Sequence, residues 1–487
     1  MKQKQTLFDY VYGNLKEQIL SGRLQYGEKL PSMNSLSEFY HVGIRTVKDV
    51  LHLLREEGYI RTEERKAAVV VYRQAGKDTA VRSVLGRKSS IIAVYQTILV
   101  LVPPLLSFCA RRYSKNELSQ MFAGNLWSKK RSPQELGRIC VSCIYELLDH
   151  SKNLLFRDLF ASLEIYARMP FFQNYDHFAE LVLEYNEFHS IQWVLEAFTE
   201  HEPSEIVSRF RRMFHSVVPA VCQFMEELSG DYGEITENPS CAYCWTAECG
   251  RDHYYMQIAR DLIDKIGTGS YKEGSFLPSE SQLARQYGVC VSTVRNALFM
   301  LNDLGFGRTM NAKGTKVLLQ DEDAAVQCLK NKTFRRDTMI YLSGLQLMAI
   351  AIKPAAAMAF DKIGEHKIQE LKEHTKNPDY ILLDGLVRCV TGHLELSPLK
   401  SILKETGKLL HWGYYFSFFG GISGSDLLAA KSLAALEKLE CGSAAEFGEH
   451  MSHCFCHILD FVRDRMVEFG LSEAAGLISP CSPDTGK

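Results

Sequence analysis

The chain has 487 residues, too many for a single hydrophobic core, so two to four domains are expected. Hydrophobic residues make up 46% and charged residues 23%, an ordinary globular composition. Lys and Arg together number 56 against 58 Asp and Glu, a net charge of −2, which excludes a global basic field for nucleic acid and leaves only local patches.

The opening MKQKQTLFDYVYG lacks the apolar run of a signal peptide, so a cytoplasmic chain is expected, with its 14 cysteines reduced rather than set in a disulfide framework. Over residues 6–21, Leu7, Val11, Leu15, Ile19 and Leu20 recur at a spacing of mostly four, which predicts an amphipathic helix. Gly22 ends it and Gly27 sits in the following turn. Ser32 is placed as the N-cap of a helix over 33–40 that turns Leu36 and Phe39 inward. After a turn at His41-Val42-Gly43, a third helix buries Val47, Val50, Leu51 and Leu54 and carries Arg45, Lys48 and Asp49 on its other face. Residues 59–72 then read as two short strands around the polar tip Glu63-Glu64-Arg65-Lys66. Three helices and a hairpin in about seventy residues make the winged helix-turn-helix plan, whose third helix enters the major groove.

Residues 91–110 (IIAVYQTILVLVPPLLSFCA) hold no charge and are long enough to span a membrane. Pro103-Pro104, Gln96 and Thr97 lie inside them, and the later stretch 345–360 (LQLMAIAIKPAAAMAF) carries Lys353-Pro354 at the matching place. A charge in mid-segment suits a buried bundle helix with a proline kink, so no membrane partner is expected. From 81 to 230 the apolar spacing is helical throughout, notably over 140–148, 154–166, 178–198 and 203–228.

The N-terminal plan then returns. Residues 277–298 (LPSESQLARQYGVCVSTVRNAL) match 30–51 (LPSMNSLSEFYHVGIRTVKDVL), and Pro31 and Pro278 stand 247 apart, as do Lys48 and Arg295. In both copies the residues resemble the GntR family of bacterial transcription regulators. The anchors in copy 1 are Ile19, Gly22, Leu24, Gly27, Leu30-Pro31-Ser32, Leu36, Val42, Thr46-Val47-Lys48 and Gly58. In copy 2 they are Ile266, Gly269, Gly274, Leu277-Pro278-Ser279-Glu280, Leu283-Ala284, Tyr287-Gly288-Val289, Thr293-Val294-Arg295, Ala297-Leu298, Leu301, Gly305 and Gly314. Each copy also departs from the family pattern. The basic residue two places after Pro-Ser is Asn34 or Ser281, the Ser-Arg opening of the third helix is Gly43-Ile44 or Cys290-Val291, and copy 1 lacks the wing glycine. A weaker repeat at an offset of 241 relates 194–214 to 435–455.

The expected architecture is mainly α with small β wings: a winged helix (1–75), a helical effector or dimerisation-like domain (80–235), a second winged helix (250–320) and a second helical domain (325–475). The resemblance implies contact with double-stranded DNA through Ser32, Arg45, Thr46 and Lys48 in copy 1, and through Ser279, Ser292, Thr293 and Arg295 in copy 2. Arg65-Lys66 and Lys313-Gly314 at the wings suit the flanking backbone; the plain alternatives are a solvated helix face and an ordinary charged hairpin.

Cys241, Cys244, Cys249 and His253, spaced C-x2-C-x4-C-x3-H, could close a structural zinc site, against the alternative of incidental cysteines. His450, His453, Cys454, Cys456 and His457 cluster on one expected helix, where core or interface histidines are the plainer reading. The family's helical domains often hold a metal through an Asp and three His; the first half offers only the scattered His177, His189, His201 and His215, and the full set is placed in neither half.

No phosphate-cradling loop, nucleophile elbow or zinc-protease motif occurs, so no enzyme is expected and no cofactor is assigned beyond that zinc. The resemblance thus implies a ligand-responsive regulator, acting as a covalent pseudo-dimer on an operator, with an unknown small-molecule effector and scope for further self-association. The competing class is a protein-interaction or membrane-associated regulator that kept the winged fold without operator reading.

Overall fold

The structure, a computed structural model, describes residues 7–20, 24, 26–40, 42–62, 67–72, 77–126, 133–168, 175–185, 190–200, 202–233, 235–247, 254–267, 269–311, 313–318, 332–377, 380–410 and 423–481. They fall into two compact units: Met1–Ile144 with Leu159–Arg251, and Tyr145–Asp158 with Asp252–Lys487. The class is the expected one, mainly helical with two small two-stranded sheets among the described residues.

The first unit opens with α1 (Leu7–Leu20), α2 (Met33–Tyr40), α3 (Ile44–Glu56) and the antiparallel strands β1 (Ile60–Arg61) and β2 (Val69–Val70), here called head 1. Its core is one cluster in which Val11, Leu15, Ile19, Leu36, Val47, Val50, Leu54, Ile60 and Val70 are all buried. Helices α4 (Lys77–Leu85), α5 (Lys88–Ala110), α6 (Lys115–Leu126), α7 (Pro133–His150), α8 (Phe156–Tyr166), α9 (Tyr175–Glu184), α10 (Ile191–Glu200) and α11 (Pro203–Tyr232) follow. The last six residues of α7 (145–150) and the first three of α8 (156–158) belong to the second unit. Within the first unit α5 packs chiefly on α11, which also receives α9 and α10. Buried Arg209 is held by Glu205 at 3.0 Å, Glu200 and the Trp193 carbonyl at 3.0 Å, with its guanidinium over the Trp193 ring.

Among the described residues two stretches are long and apolar enough to cross a membrane by length and composition, Lys88–Ala110 and Phe334–Lys362, yet 61% and 78% of their apolar windows are buried within the protein. Pro103 and Pro104 lie inside α5 without ending it. The expectation of buried bundle helices describes both.

In the second unit α12 (Tyr254–Gly267), α13 (Glu280–Tyr287), α14 (Val291–Asp303), β3 (Gly307–Met310) and β4 (Gly314–Val317) form head 2. After it come α15 (Lys332–Ala359), α16 (Glu365–His374), α17 (Leu382–His393), α18 (Ser397–Leu410), α19 (Ser423–Cys441) and α20 (Ala444–Glu468). Helix α15 packs along α20, which it approaches closely at Gly448, where a Cβ would stand 2.5 Å from the Lys353 carbonyl oxygen. The 145–158 segment is tied into this unit by buried Asn153, whose amide donates to the Ser343 carbonyl at 3.0 Å and to Gln346 at 2.8 Å. Its carbonyl oxygen accepts from the Leu155 and Phe156 amides at the start of α8.

One expectation is corrected. Rather than all being reduced, Cys456 on α20 and Cys481 are joined as a disulfide with Cα atoms 6.2 Å apart. The C-terminal segment is brought back over the helix pair by the Gln346 amide donating to the Ile478 carbonyl, 2.7 Å, and by the Arg335–Glu473 ion pair, which sets the two sulfurs side by side.

The heads repeat each other bond for bond. Gly27 N donates to Val70 O, Leu30 N to Ala68 O and Tyr59 N to Leu54 O; at an offset of 247, Gly274 N donates to Val317 O, Leu277 N to Thr315 O and Phe306 N to Leu301 O. One internal cluster keeps its place but changes its chemistry. In head 1 the Tyr40 hydroxyl donates to Asn14 at 2.6 Å and accepts from Gln18 at 3.2 Å. In head 2 the Tyr287 hydroxyl donates to Asp261, which pairs with Lys265 at 2.7 Å. Burial, then the Asp261 carboxylate, push the Tyr287 hydroxyl above its usual range.

Candidate nucleic-acid interface

Each head presents the first turn of its third helix to solvent because the packing residues start one turn in: Val47 and Val294 are buried, while Arg45, Lys48, Ser292 and Arg295 are exposed. Thr46 and Thr293 are half-buried at the edge. Among the described residues neither Arg45 nor Lys48 is paired with a carboxylate. Head 2 differs: the Arg295 guanidinium meets Glu280, the first residue of α13, at 2.8 Å. That carboxylate raises the Arg295 pKa and neutralises its charge at the surface. Met33 stands where Glu280 does, so Lys48 has no such acid opposite it.

Ser32 and Ser279 start the middle helices. Ser32 Oγ accepts from the Ser35 amide at 3.1 Å, and Ser279 forms a full capping box with Gln282. Their hydroxyls are therefore occupied in folding. Ser279→Ala is expected to lower stability by about 1 kcal/mol in urea denaturation while changing DNA affinity little, and Ser279→Asp should restore the cap.

At the wing of head 2, Lys313 is exposed and Gly314 has φ +98°, a left-handed conformation that favours glycine. Arg65 and Lys66 lie outside the described residues, as do Cys249 and His253 of the proposed zinc set. Of that set Cys241 and Cys244 are exposed. Among the described residues no group of three or more His, Cys, Asp or Glu could hold a metal. That includes the α20 histidines, of which His453 is exposed, and His177, which is bonded to Glu227 at 2.7 Å.

Cys290, one of the departures from the family pattern, lies beside the site. It is the N-cap of α14 and is exposed. The Ser292 and Thr293 hydroxyls, 3.1 and 3.0 Å from its sulfur, and the Thr293 amide bring its thiol down to about 7. DNA phosphates favour the neutral thiol, so binding raises this pKa. Affinity is therefore greatest below about 7 and falls as the thiolate forms. A loss of about fivefold between pH 6 and 8 is expected, and Cys290→Ser should flatten the profile.

Two winged helix-turn-helix heads on one chain define its class. The model of the bacterial regulatory proteins of the gntR family matches twice, at residues 7–70 and 254–317. Each head thus matches that family's model, and the two matches stand as a tandem duplication. It is 37% identical over 68 residues to the HTH-type transcriptional regulator TreR of Bacillus subtilis, covering 14% of this chain and 29% of that protein. Over 140 residues it is 29% identical to the HTH-type transcriptional regulator SmoD of Agrobacterium fabrum, covering 27% of this chain and 58% of that one. The chain thus spans less than two thirds of the length of either relative. Among solved structures it is similar to Streptococcus agalactiae GntR (16% identity, TM-score 0.20, 42% of this chain and 99% of that). It is likewise similar to E. coli McbR/YncC (18% identity, TM-score 0.20, 45% and 100%).

Proposed function

We propose that the chain is a cytoplasmic, non-enzymatic, DNA-binding transcription regulator whose two heads act as a covalent pseudo-dimer on one two-part operator. The observation that carries this reading is the pair of solvent-facing third helices, held by wing and core hydrogen bonds that repeat at one offset. Relatives named as transcriptional regulators agree with it. Linking the heads raises the effective concentration of the second once the first has bound, so heads that are individually weak still give useful affinity. The four-part division 1–75, 80–235, 250–320 and 325–475 belongs to this proposal, with the helical parts taking a small-molecule effector.

In the first unit an open groove of about 590 Å³ runs along α11 beside Ser107 of α5, lined by Ser204, Ser208, Arg211, Arg212 and His215. Pro203 and Val207 also line it beside these cations and hydroxyls, a mixture that suits an anionic effector with an apolar part. The test is selection of bound duplexes from a random DNA library at two salt concentrations. A two-part site, weakened by salt, supports the reading; recovery of no sequence at low salt overturns it. The second reading, a protein-binding module, draws on the Glu280–Arg295 pair and on the exposed apolar Met33 and Ile44 of head 1.

A further inference from the structure

We infer that head 1 reads thymine through its 5-methyl group, using Ile44 with Met33 beside it; this rests on the DNA-binding reading above and adds the chemistry that head 1 selects. Ile44 is the first residue of α3 and is 52% exposed; Met33 is the first residue of α2 and is 45% exposed. A single exposed aliphatic side chain needs no explanation. These two lie in the same head as Arg45 and Lys48, which pair with no carboxylate among the described residues. Ile44 lies one turn before Lys48 on α3, and residues four apart on a helix are neighbours. In head 2 the residues matching Met33 and Lys48 are Glu280 and Arg295, and those two touch at 2.8 Å. The same backbone in head 1 sets Met33 beside Lys48. The patch inferred from this correspondence comprises Ile44, Met33 and Lys48, with Arg45 following Ile44 on the same exposed first turn.

Its occupant follows from that mixture. Arg45 and Lys48 call for phosphates or the acceptor edge of guanine, so the partner is a polyanion with base edges. Residues at the start of a recognition helix face those edges. Of the four base pairs, only those with thymine carry an apolar group in the major groove, the 5-methyl, and it is recognised by apolar contact. Head 2 offers no equal patch: Val291 is shorter and half-buried, and an acid replaces the methionine. The two half-sites therefore differ in kind, with methyl dependence confined to the half read by head 1.

The test uses the full chain and a duplex recovered from the library selection, with the half-site of head 1 identified as the half whose sequence preference is lost in Lys48→Ala. Each thymine is replaced in turn by deoxyuridine, which removes the methyl and keeps the base pairing. Uracil at one or two positions of the head 1 half-site is expected to weaken binding about three- to fivefold each. The loss should vanish in Ile44→Ala or Met33→Ala, neither of which touches the core. The other half-site should be insensitive.

A recovered site in which uracil at every head 1 position leaves affinity unchanged overturns the inference and leaves operator reading intact. So does a uracil effect that persists undiminished in both alanine variants. Recovery of no site at all overturns the DNA-binding reading itself, and the inference with it.

Discussion

Asp337→Ala is expected to destabilise the second unit by about 3–5 kcal/mol, the range for removing one partner of a buried ion pair. Asp337 lies near the start of α15 with its side chain 3% exposed, and its Oδ1 accepts from the Arg260 guanidinium of α12 at 2.7 Å. Arg260 is itself only 13% exposed, so the substitution removes the carboxylate that offsets the desolvation of a buried cation. The asymmetry of such pairs gives the control. Arg260→Met with Asp337→Leu removes both charges and should recover most of the loss. Urea denaturation of the full chain reads this directly, because only one of the two units carries the pair. The residue matching Arg260 in head 1 is Gly13, so head 1 has no such attachment. A loss under about 1 kcal/mol would mean the pair is solvated, and that head 2 is not keyed to α15.

The Arg45→Ala/Lys48→Ala variant is expected to bind the two-part operator about 10² to 10⁴-fold more weakly than the parent chain. That is the gain generally made by turning the second binding event into an intramolecular one. Both side chains are exposed on the first turns of α3 and unpaired among the described residues, so their loss leaves the core of head 1 untouched. If each neutralises a phosphate, the slope of log affinity against log salt should fall by about 2. Library selection with the variant should then recover only the half-site of head 2. An affinity loss below about fivefold, with the whole site still selected, would show that head 1 contributes no reading.

Much of the winged fold was legible because its anchors are backbone requirements. Gly27 and Gly58 have φ of +84° and +79°, and their counterparts Gly274 and Gly305 have +79° and +76°. A side chain at these turns would be strained, so the glycines recur at the 247 offset and mark the turns in both copies. The buried face of α3 followed from spacing, since one helical stripe must meet the core. What escaped sequence reading was contact between side chains distant along the chain. Glu280 fits the family pattern as a letter, but its hold on Arg295 depends on how α13 crosses α14. Arg260 and Asp337 lie 77 positions apart on helices with no local sign of pairing. The membership of Tyr145–Asp158 in the second unit is equally non-local, and so is the Cys456–Cys481 bond.

The central claim is that one chain places both heads on one operator. Sedimentation equilibrium of the purified chain, saturating a duplex that carries the full two-part site, tests it most directly. The account predicts a complex of one 55.3 kDa chain per duplex. Two chains per duplex, with the same head on both half-sites, would contradict it.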